Sequence, residues 1–190
     1  MKPTHILSNE HRLILKVLDV LELIGTQASK NKTFDLDDAR AVIEFIRTFA
    51  DKCHHGKEET YLFPAMETAG FSREAGPIAV MLFEHDQGRA HVREMAAAID
   101  RVAKGEADAT DRFAHNALGY VQLLREHILK EDNILFRMAD QVLTDADKAR
   151  LLAAFERVEH VEIGPHVHEQ MHSLAEQLLH KYGLDKSSCG

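Results

Sequence analysis

Between Ile6 and Ile24 the apolar residues Ile6, Leu7, Leu13, Ile14, Val17, Leu18, Leu21 and Ile24 recur every three to four positions. That spacing predicts an amphipathic helix, ended by Gly25 and the polar stretch to Lys32. A second helix starts after Thr33 or Asp35 with Asp37 and Asp38 in its first turn, a favourable place for acids. Its inner face runs through Ala39, Val42, Ile43, Ile46, Phe49 and Ala50 until Pro64 disturbs it and Gly70 stops it. Pro77 opens a third helix that Gly105 closes, and a fourth begins near Thr110 or Asp111 and carries Phe113, Val121, Leu124, Ile128 and Leu135. Thr144 with Asp147 caps a fifth, interrupted at Gly164-Pro165 and continuing to about Tyr182. No stretch alternates, so no strand is expected. Short connections among the first four helices predict an all-α, up-down-up-down four-helix bundle over 1–141. Residues 142–190 are expected to add a C-terminal helical segment packed on it, ending in a short disordered tail.

The 190 residues suffice for one well-buried core. A formal charge of −8 without any Lys/Arg cluster argues against nucleic acid and anionic membrane surfaces as partners. No apolar run reaches the ~18 residues of a membrane span, and Met-Lys-Pro-Thr-His lacks a signal-peptide core, so a cytoplasmic protein is expected. Cys53 and Cys189 do not make a disulfide framework. Thirteen histidines are the one abnormal count, and it directs attention to where they sit.

One pattern occurs twice. His54-x-x-Lys57-Glu58-Glu59-x-x-Leu62-Phe63 reappears as His127-x-x-Lys130-Glu131-Asp132-x-x-Leu135-Phe136, 73 positions on. The dipeptide Glu10-His11 likewise recurs as Glu84-His85, 74 positions on. On a helix an i to i+4 step returns to the same face, so His54 with Glu58 and His127 with Glu131 each form one two-toothed grip. His11 and His85 come singly from the intervening helices. Bare carboxylates converging in a core are costly, and a metal pair removes that cost. Imidazole with carboxylate and no thiolate suits iron, manganese or zinc, and two bridging carboxylates argue for a dinuclear centre.

With these motifs in place, the chain from Ile6 to Asp140 resembles the hemerythrin-like (HHE cation-binding) proteins. The resemblance implies a non-haem di-iron centre, oxo- or hydroxo-bridged, in a four-helix bundle. It implies His11, His54, His85 and His127 as terminal ligands and Glu58 and Glu131 as bridges. The chain departs from the oxygen-carrying members at Arg89, where they have a histidine one turn after His85, and in ending its last motif His-x-x-x-Glu. The expected function is therefore binding or reduction of a small oxidant, whether dioxygen, peroxide or nitric oxide, in oxidative or nitrosative stress handling or iron homeostasis. The alternative is an oxygen- or redox-sensing module without turnover, and a structural zinc site is a third reading.

His55 carries two readings of its own: a fifth histidine ligand that makes up for the one missing at Arg89, or a helix-flank residue bonded to water or a neighbouring acid. His168 and His172 form another i to i+4 pair and compete for the same role. Glu59 and Asp132 are expected outside the ligand set. Cys53 is expected to be an inert buried thiol. A ferritin-like centre needs two Glu-x-x-His motifs, and only Glu169 to His172 has that spacing.

Overall fold

The computed structural model describes residues 2–164 and 166–185; the expected disordered tail, Cys189 included, and Pro165 lie outside the described residues. The described residues form six helices and no strand. They are α1 (Pro3–Asn31), α2 (36–68), α3 (Gly76–Ala103), α4 (109–142), α5 (145–162) and α6 (Val167–Lys181).

The local signals act largely as expected. Asp35 accepts bonds from the Asp37 and Asp38 N–H groups at 3.0 Å each and caps α2. Pro77 sits in the first turn of α3, and Thr144 and Asp147 form a reciprocal capping box at the start of α5. Gly70 and Gly105 take left-handed φ values of 102° and 79°, which stop α2 and α3 where a side chain would be strained.

Gly25 differs: it does not end α1, which runs six residues further to Asn31 and closes on left-handed Lys32. A Cβ there would lie 3.2 Å from Ala117 Cβ and 3.3 Å from Leu118, so the missing side chain is what lets α1 and α4 approach. The ~1 kcal/mol that glycine costs a helix is offset by that contact. Pro64 does not break α2 either. It lies where the hydrogen-bond ladder narrows from i→i+5 over Glu58–Leu62 to i→i+4 over Phe63–Thr68.

Two apolar clusters fill the bundle, and the polar level lies between them. One gathers Leu7, Leu62, Phe63, Met66, Met81, Leu135 and Phe136 with Leu151 and Phe155 of α5. The other holds Ile14, Leu18, Phe45, Phe49, Phe113, Tyr120 and Leu124 with Met171, Leu178 and Leu179 of α6. On α1, His11 falls between Leu7 of one and Ile14 of the other; on α4, His127 and Glu131 fall between Leu124 and Leu135. Each buried Leu or Phe contributes about 1.5–3 kcal/mol, and the two clusters cover the polar level from either end of the bundle. No helix among the described residues is long and apolar enough to cross a membrane.

Candidate metal centre

The backbone carrying the duplicated motif is widened. Ile46–His55 and Glu58–Leu62 in α2, and Glu131–Leu135 in α4, have the i→i+5 ladder of a π-helix. Such widening is rare and concentrates at functional sites. Here Glu58–Leu62 and Glu131–Leu135 widen at equivalent places in the two copies, whereas the stretch Ile46–His55, which carries His54 and His55, answers to ordinary α-helix over 119–128.

All seven sequence-nominated residues come together, in two groups whose potential ligand atoms lie within 4.8 Å of one another. His11, His54, Glu58 and Glu131 form one; His55, His85 and His127 form the other. The carboxylates lie between the groups. Glu58 Oε1 is 3.7 Å from His54 Nε2 and its Oε2 is 3.6 Å from His85 Nε2. Glu131 Oε2 is 3.1 Å from His11 Nε2 and 3.3 Å from His127 Nε2. The His85 and His127 Nε2 atoms are 3.1 Å apart, and the His55 ring stacks on His85 at 3.8 Å between centroids. His168 and His172 pack instead on Phe49, at 5.2 and 5.7 Å, and join neither group.

Every one of the five imidazoles meets a carboxylate through Nδ1. The partners are Asp132 for His11 (3.0 Å), Glu10 for His54 (2.8 Å), Asp51 for His55 (3.3 Å), Glu59 for His85 (2.7 Å) and Glu84 for His127 (2.9 Å). A carboxylate on Nδ1 orients the ring and turns its Nε2 inward, the atom left for a metal. The acids are held in turn: Lys57 binds Glu10 and, at 2.5 Å, Glu159, while Lys130 binds Glu84. Arg89 donates to Asp51 at 2.9 Å and to Glu59 at 2.6 Å, so it braces the partners of His55 and His85 and touches no bridging carboxylate.

Sequence spacing had marked Glu10 and Glu84 only as neighbours of a histidine. Each orients a histidine on the adjacent helix, a contact that no spacing reveals. Asp51 was missed altogether, although its i to i+4 relation to His55 was a usable signal.

The protein alone leaves this level unbalanced. Both oxygens of Glu58, both of Glu131 and His11 Nε2 are buried without a hydrogen-bond partner. Burial and the Glu131 charge push the Glu58 carboxyl well up. Burial opposes the Glu131 charge, but His127 and His11 outweigh it and hold that carboxyl well below its usual range. His127 is drawn down by burial and raised more strongly by Glu131 and Glu84, to about 9. His54 lies well below its ordinary value and His55 falls to about 3, in both cases chiefly through burial. Unpartnered buried carboxylate oxygens among imidazoles whose Nδ1 atoms are already engaged are what a bound cation would satisfy.

Two other candidates resolve differently. Glu10, Glu159 and His168 also lie close together, but the cation between the two acids is the Lys57 ammonium, fully buried and 5.7 Å from the Phe155 ring. Cys53 is buried and in no disulfide, and burial pushes its thiol up to about 12, far from a reactive thiolate.

A family model described as the Hemerythrin HHE cation binding domain matches residues 2–139. An uncharacterized protein of Mycobacterium tuberculosis is 27% identical over 121 residues, 64% of this chain and 47% of its own. An iron-sulfur cluster repair protein YtfE from Musicola paradisiaca is 37% identical over 89 residues, 45% of this chain and 40% of that protein. The YtfE of an Enterobacter strain is 27% identical over 139 residues, 71% of this chain and 63% of that protein. The chain thus spans about half the length of the mycobacterial relative. No solved structure matches it.

Proposed function

Because the chain belongs to the hemerythrin HHE cation-binding family, we propose that its two buried groups hold a pair of iron ions that bind or reduce dioxygen, peroxide or nitric oxide. In this reading His11 and His54 serve one iron, His55, His85 and His127 the other, and Glu58 and Glu131 bridge. The observation that carries it is the pair of buried, unpartnered carboxylates between five imidazoles whose Nδ1 atoms are already engaged. Iron is favoured over copper(I) because both groups consist of imidazoles and carboxylates, and Cys53 belongs to neither. When bound, two irons supply two electrons to a diatomic or peroxide.

The protein's own part is positional. Carboxylates on every Nδ1 hold the rings for Nε2 coordination, and the two apolar clusters keep bulk water out. The split of two histidines against three leaves the His11–His54 side one nitrogen short, which makes it the side for an incoming ligand. Two relatives are named for iron–sulfur cluster repair, and a site that handles iron and its oxidants suits such a role. The deciding experiment loads the chain with iron without oxygen and titrates the reduced form with dioxygen, nitric oxide and peroxide in parallel. Repeated turnover with one of them supports an enzyme, and a single stoichiometric spectral change supports a sensor or carrier. A colourless chain that takes up zinc and ignores all three would end this reading.

A further inference from the structure

A cleft of about 190 Å3 opens between α2, α3 and α4, next to His55. Arg47 and Arg93 stand exposed on its rim, and neither meets a carboxylate among the described residues. The acids on its wall are already engaged: Asp51 by Arg89 and His55, Glu84 by Lys130 and His127. Two arginines without a carboxylate partner among the described residues therefore line one small cavity in a chain whose net charge is −8. Buried Ile46, Val92 and Leu124 line the inner part.

We propose that this cleft binds a small monocarboxylate, with its head on Arg47 and Arg93 and its short apolar tail against Ile46, Val92 and Leu124. A guanidinium presents a planar fork of donors that matches a carboxylate in two parallel bonds. The cavity is smaller than the ~300–1,000 Å3 of pockets for drug-sized ligands, which limits the tail to a few carbons. A bare inorganic anion would leave the apolar wall unused. The site goes beyond the metal reading and requires no metal, so either can fail while the other stands.

The test is calorimetric titration of the full chain as purified, with its metal content measured on the same sample, against formate, acetate, propionate and butyrate. Affinity should tighten ~fourfold per added methylene as the tail reaches the wall. R47E/R93E should weaken butyrate binding by at least ~tenfold, since charge-assisted bonds are lost. R47K/R93K, which keeps the charge and loses the fork, should fall between them, and R137E on another exposed face should bind as the native chain does. No binding of butyrate by the native chain, or equal binding by R47E/R93E, would overturn the proposal. Equal affinity for acetate and butyrate would overturn the placement of the tail.

Discussion

The two halves of the polar level are built from one pattern and finished differently. Glu10-His11 answers to Glu84-His85, and His54, Lys57, Glu58 and Glu59 answer to His127, Lys130, Glu131 and Asp132. The outer bonds repeat as well: Lys57 with Glu10 on His54, Lys130 with Glu84 on His127. The exceptions are concentrated. His55, Asp51 and Arg89 correspond, at the same offsets, to Ile128, Leu124 and Leu15. A polar trio thus supplies the fifth imidazole on one side, and three apolar residues fill the equivalent space on the other. The duplicated scaffold yields four histidines and two carboxylates, and the departure from it creates a three-histidine group beside a two-histidine group.

The largest effect should come from the shared part. Glu131→Ala removes a carboxylate common to both groups and should abolish loading of at least one metal ion, along with the thermal stabilisation that loading gives, because metal-binding free energy is folding free energy. Metal analysis and a melting curve with and without metal check it. The second copy can then be written into the first: His55→Ile should spare the His11–His54 group and selectively weaken the three-histidine one, by more than the ~10–100-fold typical of losing an outer partner. Full retention of both metals in His55→Ile would make His55 a bystander.

The lysines offer a third contrast. Lys57 is 0% exposed under Phe155 and Glu159, whereas Lys130 is 36% exposed. Lys57→Met would strand two acids in or near the interior and should cost about 3–5 kcal/mol, while Lys130→Met should cost about 1 kcal/mol or less. Paired urea titrations measure the difference, and equal losses would show that α5 seals nothing.

Those contrasts also separate what the chain discloses from what it hides. The duplication is legible because the same side chains must recur at the same offset for two helices to present the same grip. The helices are legible because their buried faces repeat every three to four residues. Gly25 misleads since its role is the approach of Ala117, ninety-two positions away. The π-widening leaves no trace in apolar spacing, and the bonds from Arg89 to Asp51 and Glu59 join residues that nothing local relates. The burial of Lys57 depends on α5, whose sequence does not point to it.

The last contrast is in pH. In the metal-free chain His127 is raised from its ordinary value to about 9, so its contribution is complete below ~6.5 and is lost as pH rises through about 9. His55, held near 3, stays uncharged while its unfolded form takes up a proton, so stability also declines as pH falls from ~6.5 toward 3. The metal-free melting temperature should thus peak near neutrality. Loading should reverse the alkaline arm, because metal binding is favoured where His127 has lost its proton. Parallel alkaline arms for the two forms would mean that no metal contacts His127.

The most direct test counts the metal. The chain loaded anaerobically with ferrous iron, desalted and oxidised should hold two irons per chain, and its Mössbauer spectrum should show an antiferromagnetically coupled ferric pair with two inequivalent sites, one for each histidine group. A single iron per chain, or two uncoupled irons, would contradict the account, since Glu58 and Glu131 would then bridge nothing.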